Sequence, residues 1–220
     1  MQLYDQLLQF PLFQGMSRDD LELVAGHTRF GFAKYDSQQA VVGEGDSCQQ
    51  LYLLLSGTLR CETSADDHSY TIVETLQPPF MLQPEAIIGY WQRYTHSFQC
   101  VGECSFMTIG KDELMRLSTQ FLVFRLNLLN IFATMAQRQS REPWRRCPKN
   151  LTERIIRWFC QHCIYPAGPK TFRVLMTQLA LEVGDSRLDV SRALNDLQRK
   201  GLLQLHRGRI VVPQLELLQR

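Results

Sequence analysis

Apolar and polar residues alternate in short runs between about residue 30 and residue 109, and turn residues separate these runs. One run, Leu51 to Leu55, ends at Ser56-Gly57, and another, Tyr70 to Leu76, ends at Pro78-Pro79. Many short strands at this spacing predict a small antiparallel barrel or jelly roll. The first 26 residues or so predict short helices instead.

A long helix is predicted from about residue 111 to residue 141. Its apolar residues advance by 4, 3, 4, 3 and 4 positions, which is the seam of a coiled coil. The seam, and with it the predicted dimer interface, consists of Leu117, Phe121, Phe124, Leu128, Ile131 and Met135. A second apolar face on the same helix favours burial against the barrel on one side and a partner helix on the other. A helix buried wholly inside its own domain is the alternative.

Two prolines mark the predicted hinge between domains. Pro143 and Pro148 bracket a short segment, and neither can lie inside a helix without breaking it. The sequence therefore predicts an α+β protein with an antiparallel β-roll domain and dimerisation helix over residues 1–141. A second domain is predicted over residues 142–220.

The second domain has the pattern of a winged helix-turn-helix. Met176 to Val183 predicts a helix that Gly184 can end, and Ser186 with Asp189 forms a capping box for a new helix. In such an arrangement the second helix enters the major groove of DNA and reads base edges with its first turns. The residues from 202 to 212 predict a hairpin with a basic tip, which is a wing able to contact phosphate. The predicted DNA-binding residues are Ser186, Arg187, Leu188, Ser191, Arg192, Asn195, Arg207 and Arg209.

Charge supports this division of the chain. The net charge of the 220 residues is only +2, but residues 1–140 carry 9 basic and 15 acidic side chains. Residues 141–220 carry 15 basic and 7 acidic side chains. An acidic first part and a basic second part indicate that only the second part meets a polyanion, so double-stranded DNA is the expected partner.

The chain begins without the pattern of a signal peptide and has no long uncharged apolar run, so a cytoplasmic protein without a membrane partner is expected. Its seven cysteines are an odd number and are expected to be thiols. Cys160 and Cys163 form a C-x-x-C pair, but structural zinc needs four ligands, so no metal is predicted. Haem ligation by a histidine, such as His27 or His68, is an alternative.

Two stretches resemble the CRP/FNR family of bacterial regulators, and the likeness covers nearly the whole chain. The stretch with Tyr35-Asp36, Gly45-Asp46 and Leu51 to Gly57 is similar to the opening of the family's cyclic-nucleotide-binding-type β-roll. The stretch from Gly184 to Leu194 resembles its recognition helix. The resemblance implies a dimeric transcription regulator that binds an inverted-repeat operator and contacts RNA polymerase, and no enzyme. No catalytic motif appears either.

The sequence departs from the family pattern at the recognition helix. Many members carry a glutamate that accepts a hydrogen bond from cytosine N4 where this chain has Leu188. An apolar side chain there can contact a thymine methyl but cannot make that hydrogen bond. The preferred operator is therefore expected to differ from the family's usual half-site.

The effector site departs from the pattern as well. Members that bind cyclic nucleotide carry a Gly-Glu-Leu turn and an Arg-Ser pair, but this chain has no glycine in the first and no arginine beside Thr95 in the second. A cyclic phosphate buried without a positive partner is costly. We therefore expect no cofactor and an unknown small-molecule effector other than cAMP. The candidate ligand-binding residues are Gln83, Glu85, Arg93, Thr95 and His96. A regulator without any ligand, or a haem- or metal-dependent sensor, is the alternative.

Overall fold

A computed structural model describes residues 3–219, which form two compact units. Of the described residues, the first unit comprises 3–59, 76–95 and 99–145, and the second comprises 60–75, 96–98 and 146–219. The grouping differs from the predicted domains, because residues 60–75 and 96–98 belong to the second unit and residues 142–145 belong to the first. The predicted boundary at residues 141 and 142 stays a prediction.

The order of elements confirms the predicted α+β class, with a strand-rich first part and a helical last part. The α-helices are α1 (Leu3–Leu7), α2 (Arg18–His27), α3 (Lys111–Gln120), α4 (Leu122–Arg141), α5 (Leu151–Gln161), α6 (Met176–Val183) and α7 (Arg187–Arg199). The strands are β1 (Phe30–Tyr35), β2 (Ala40–Val42), β3 (Gln50–Ser56), β4 (Leu59–Ser64), β5 (Tyr70–Leu76), β6 (Phe80–Met81), β7 (Ser97–Cys100), β8 (Cys104–Gly110), β9 (Lys170–Val174), β10 (Gln204–His206) and β11 (Arg209–Val212).

In the first unit, four strands form a sheet in the order β1-β8-β3-β6. The pairing of β1 with β8 is antiparallel and matches Phe30 with Ile109. Helix α4 packs on the 3-10 helix at Pro11–Phe13, where the rings of Phe13 and Phe124 are 5.4 Å apart. The ring of Phe13 also lies edge-on to Phe30 of β1 at 6.5 Å, so aromatic contacts join these helices to the sheet.

The predicted single helix over residues 111–141 is wrong at one position. The structure has two helices, α3 and α4, and Phe121 between them is extended, with φ −116° and ψ 109°. The hydroxyls of Ser118 and Thr119 both donate to the carbonyl of Met115. Such side-chain hydrogen bonds compete with the helical backbone pattern near a helix end. The apolar period continues through the break, which is why the sequence predicts no interruption.

The predicted dimer seam also needs correction. Leu117, Phe124 and Leu128 are buried within the protomer's own unit, so their side chains offer no surface to a second copy. Phe121, Ile131 and Met135 are partly buried. A different stripe of α4 is exposed in the single chain, and it also advances by 4, 3, 4 and 3 positions: Leu122, Leu126, Leu129, Ala133 and Ala136. The dimer interface itself stays a prediction.

The second unit is a three-helix module with a sheet that runs in the order β10-β11-β9-β5-β4. Helices α5, α6 and α7 pack around a single apolar core, in which the rings of Phe159 and Phe172 stack 4.2 Å apart. Ile72 of β5 belongs to the same core. Among residues 3–219, no helix is both long enough and apolar enough to cross a membrane.

Candidate DNA interface and effector site

The predicted turn between the two helices of the motif has the expected backbone. Gly184 lies in the left-handed region with φ 65° and ψ 50°, where a side chain would be strained. The amide of Asp185 donates to the carbonyl of Ala180 at 3.0 Å, which closes the end of α6. The glycine and this hydrogen bond let the chain reverse and begin α7 two residues later.

Ser186 caps the first turn of α7, as predicted. Its Oγ accepts a hydrogen bond from the amide of Asp189 at 3.1 Å and donates to Asp189 Oδ2 at 2.6 Å. The predicted capping box is not complete, because the amide of Ser186 donates to Asp185 Oδ1 at 2.8 Å and not to Asp189. The serine cap satisfies one of the first amides of the helix, which have no intrahelical partner.

The two faces of α7 match the predicted division. Its inner face consists of Val190, Ala193, Leu194 and Leu197, all of which are buried. The opposite face carries Arg187, Leu188, Arg192 and Asn195, all exposed, together with the partly buried Ser191. Because the inner face is packed in the core, the opposite face of α7 is left exposed. This exposed face is polar except for Leu188.

Two polar side chains of the exposed face have neighbours that orient them. Arg192 Nη1 lies 3.3 Å from Asp189 Oδ1, which belongs to the carboxylate that accepts from the Ser186 hydroxyl. Asn195 Nδ2 donates to the carbonyl of Ser191 at 2.8 Å. Arg192 is therefore held toward the first turn of the helix.

Arg154 of α5 positions the turn before α7, and sequence reasoning missed it. Its Nε donates to the carbonyl of Val183 at 3.0 Å, and its Nη2 forms an ion pair with Asp185. The carbonyl of Val183 is one of those left without an intrahelical partner at the end of α6. No short-range pattern links Arg154 to a residue 31 positions later, so only the fold reveals this contact.

The wing is present as predicted. β10 and β11 pair with His206 opposite Arg209, so Arg207 and Gly208 form the two-residue tip. Gly208 has a φ of 68°, in the left-handed region that glycine adopts without strain. Arg207 and Arg209 are both exposed, whereas Ile210 packs in the core. The amide of Leu205 donates to Gln198 Oε1 of α7 at 2.7 Å, which ties the wing to that helix.

Three of the five candidate ligand-binding residues lie together, and they bind one another. Gln83 is only 6% exposed, and its Nε2 donates to Thr95 Oγ1 at 2.7 Å and to Glu85 Oε1 at 3.3 Å. Its Oε1 accepts from the amide of Thr95 at 3.0 Å. Gln83 has a φ of 34°, a left-handed conformation that is unusual for a residue with a side chain. The carboxamide therefore occupies the backbone amide of Thr95, which could otherwise donate to an anion, and also donates to the Thr95 hydroxyl oxygen.

The other two candidates have different partners. Arg93 Nη1 donates to the carbonyl of Gly45 at 2.7 Å. His96 belongs to the second unit, where its Nδ1 lies 2.8 Å from Thr63 Oγ1. Burial lowers the pKa of His96, and Glu74 opposes this shift. The structure thus does not add these two residues to the cluster around Gln83.

The cysteines are free thiols with partners of their own. Cys163 Sγ donates to the carbonyl of Phe159 at 3.1 Å, and Cys160 Sγ accepts from Gln219 Nε2 at 3.2 Å. Burial raises the pKa of both thiols. Within residues 3–219, no group of three or more histidine, cysteine or acidic side chains is arranged to hold a metal ion.

Known proteins resemble both parts of the chain. Residues 32–121 match the cyclic nucleotide-binding domain family, and residues 153–220 match the Crp-like helix-turn-helix domain family. The cyclic AMP receptor protein of Thermus thermophilus is 22% identical over 209 residues, which are 95% of each chain.

Solved structures share the fold. The catabolite activator protein of Thermus thermophilus has a TM-score of 0.54 at 20% identity, over 96% of this chain and 97% of that one. The sensor domain of the regulator DNR from Pseudomonas aeruginosa has a TM-score of 0.52 at 19% identity, over 63% of this chain and 91% of that one. Taken with the two matched domains, the turn, recognition helix and wing show that this chain belongs to the CRP/FNR family of transcription regulators.

Proposed function

We propose that the protein is a homodimeric regulator that binds an inverted-repeat operator by inserting the first turns of α7 into the major groove. The observation that carries this proposal is the exposed face of α7, on which Arg187 and Leu188 stand in the first turn above a packed inner face. An arginine can bind guanine O6 and N7 with two hydrogen bonds, and a leucine can contact a thymine methyl. Ser191 and Arg192 complete the proposed readout.

The wing and the start of α7 supply the proposed phosphate contacts. Arg207 and Arg209 are exposed at the wing tip. Phosphate contacts set affinity and register but carry no sequence information directly. Ser186 and Asn195 flank the proposed reading surface and belong to the same interface.

A second copy of the chain is the proposed partner of α4. Leu122, Leu126 and Leu129 are each half or more exposed in the single chain, and their spacing fits a helix pair. A two-fold dimer then presents two α7 helices to half-sites about 34 Å apart. Family membership also supports RNA polymerase as a partner and the cytoplasm as the location.

The proposed effector is a small molecule other than cAMP. Gln83 occupies the amide donor of Thr95, Glu85 adds a carboxylate beside it, and Arg93 binds the carbonyl of Gly45. A phosphate there meets a negative charge in place of a cation. Calorimetric titration with cAMP is expected to give no saturable binding up to about 1 mM. Micromolar binding would overturn this part of the proposal.

Selection of bound duplexes from a random pool, with no effector added, tests the function as a whole. An enriched inverted repeat supports dimeric, sequence-specific binding and a sensor unit that needs no ligand, which is the second candidate function. Enrichment of a single half-site contradicts the proposed dimer. A failure to enrich any sequence contradicts DNA binding by the free protein.

A further inference from the structure

Strand β5, from the first half of the chain, is part of the sheet of the helix-turn-helix module. β5 pairs antiparallel with β9 over five residues, from Tyr70 opposite Val174 to Glu74 opposite Lys170. β9 pairs on its other side with β11 of the wing, with Lys170 opposite Val212. The strand that anchors the wing therefore has β5 as its second neighbour.

The inner face of these strands forms one apolar surface. Ile72, Phe172 and Ile210 stand in one row across β5, β9 and β11, and all three are buried in the core of the module. Tyr70 packs edge-on against the ring of Trp158 of α5, with the ring centres 5.1 Å apart. The hairpin β4–β5 thus supplies core side chains that the matched family region, residues 153–220, does not contain.

A buried ion pair ends this apolar surface. Glu74 and Lys170 have side chains that are 1% and 0% exposed, and Lys170 Nζ lies 2.8 Å from Glu74 Oε2. The same carboxylate accepts hydrogen bonds from the amides of Ile164 at 2.8 Å and Tyr165 at 3.3 Å. The Glu74 carboxylate therefore accepts hydrogen bonds from three donors, and two of these are backbone amides in the loop that joins α5 to β9.

Loss of Glu74 alone affects all three donors. Lys170 is left as a buried charge without its counterion, and this is far more costly than replacing both members of a buried pair. The amides of Ile164 and Tyr165 lose an acceptor in a part-buried loop. The position of β9, and with it the wing and the start of α6, depends on these contacts.

We propose that hairpin β4–β5 belongs structurally to the DNA-binding module and that Glu74 is a positioning residue for DNA binding. Glu74 acts through Lys170 and through the amides of Ile164 and Tyr165. This inference rests on the proposed function, since it concerns how the same interface is held. Glu74 itself contacts no nucleic acid in this proposal. Its role is to keep β9 in place, so that the wing arginines can reach phosphate.

Three full-length variants test the proposal: Glu74→Gln, Lys170→Met, and both together. The glutamine keeps one oxygen, which can still accept from the amide of Ile164, but it puts an NH2 group in place of the oxygen that accepts from Tyr165 and leaves Lys170 without a counterion. The double variant removes both charges and keeps that acceptor. Asp66→Asn, in the exposed turn of the same hairpin, is the matched control for loss of an acidic charge.

The readouts are affinity for the selected operator and its dependence on salt concentration. We expect Glu74→Gln to weaken binding by about tenfold or more, and the double variant to restore it to within about threefold. We also expect a shallower salt dependence for Glu74→Gln, because displaced wing arginines neutralise fewer phosphates. Asp66→Asn is expected to bind like the wild type.

The outcomes separate this inference from the proposed function. If the wild type binds an operator and folded Glu74→Gln binds it with the same affinity and salt dependence, the positioning role is overturned and the function stands. If Glu74→Gln does not fold, the double variant decides, because a folded double variant with tenfold weaker binding overturns the role of the pair.

Hydrogen exchange of the wild-type protein provides a test that does not need an operator. The inference expects the amides of residues 70–74 and 170–174 to be protected to a similar degree, since they belong to one sheet. Rapid exchange in residues 70–74 beside a protected β9 would show that the hairpin is not part of the module.

Discussion

The serine cap of α7 offers a prediction with an internal control. Ser186→Ala removes the hydroxyl that accepts from the amide of Asp189 at 3.1 Å and donates to its carboxylate at 2.6 Å. Loss of such a cap destabilises a helix or a protein by about 1 kcal/mol. Ser17 caps α2 in the same way, because its hydroxyl accepts from the amide of Asp20 at 3.1 Å. Ser17→Ala should therefore cost a similar free energy of unfolding.

The two substitutions should differ in their effect on DNA binding. The first turn of α7 carries Arg187 and Leu188, so a frayed turn must be ordered again when DNA binds. A cost of about 1 kcal/mol corresponds to roughly fivefold weaker binding. Ser17→Ala should leave the affinity unchanged. Ser186→Asn restores a capping oxygen and is expected to recover most of the loss.

The assays are urea denaturation for stability and fluorescence anisotropy with a labelled operator for affinity. Similar stability losses in Ser186→Ala and Ser17→Ala, with weaker DNA binding only in Ser186→Ala, would support the placement of the interface. If Ser186→Ala weakens DNA binding no more than Ser17→Ala does, the first turn of α7 does not belong to that interface.

Three further predictions concern base readout, the dimer and pH. Arg187→Ala should reduce the free energy of binding to the operator by about 1–3 kcal/mol and relax specificity at one base pair. Arg209→Ala should weaken binding to all duplexes alike and flatten its salt dependence. Equal loss of affinity for every sequence in Arg187→Ala refutes the assignment. Leu126→Lys should raise the dimer dissociation constant by about tenfold or more in analytical ultracentrifugation, while Leu23→Lys, on an exposed position of α2, should not. Burial lowers the pKa of His96 in the folded protein, so the unfolded chain binds more protons and the free energy of unfolding should fall as the pH drops below about 6.5. His96→Gln should remove this part of the pH dependence, and an unchanged pH profile would contradict the assignment.

The recognition helix could be predicted from the sequence because its determinants are local. Gly184 ends one helix, Ser186 and Asp189 begin the next, and the period of Val190 and Leu194 defines the inner face. Each of these signals lies within four residues of its partner. The structure confirms them because local backbone preference and burial favour the same conformation here.

The break at Phe121 could not be predicted in this way. The apolar period runs through it, and the competing hydroxyl bonds of Ser118 and Thr119 depend on rotamers that a sequence pattern does not specify. The same spacing of apolar residues predicts a dimer seam through Phe124, but α4 carries two apolar stripes with this spacing. Which stripe is buried in the protomer depends on where the 3-10 helix at Pro11–Phe13 packs.

The contacts that position the interface are non-local as well. Glu74 and Lys170 are 96 residues apart, and Arg154 meets Asp185 across 31 residues. A single sequence identifies these residues only as charges on a strand or a helix. The alternation that predicts β5 as half-buried gives no sign that Glu74 faces inward beside Ile72, because buried acids are rare without a partner.

Binding of the purified protein to three duplexes at physiological salt tests the central claim most directly. The duplexes are the selected inverted repeat, the same repeat with one half-site scrambled, and an unrelated sequence of equal length. The account predicts two chains per intact repeat and a preference of about 1,000-fold or more over the unrelated duplex, with the scrambled repeat in between. Equal affinity for all three duplexes would contradict sequence-specific binding by a dimer.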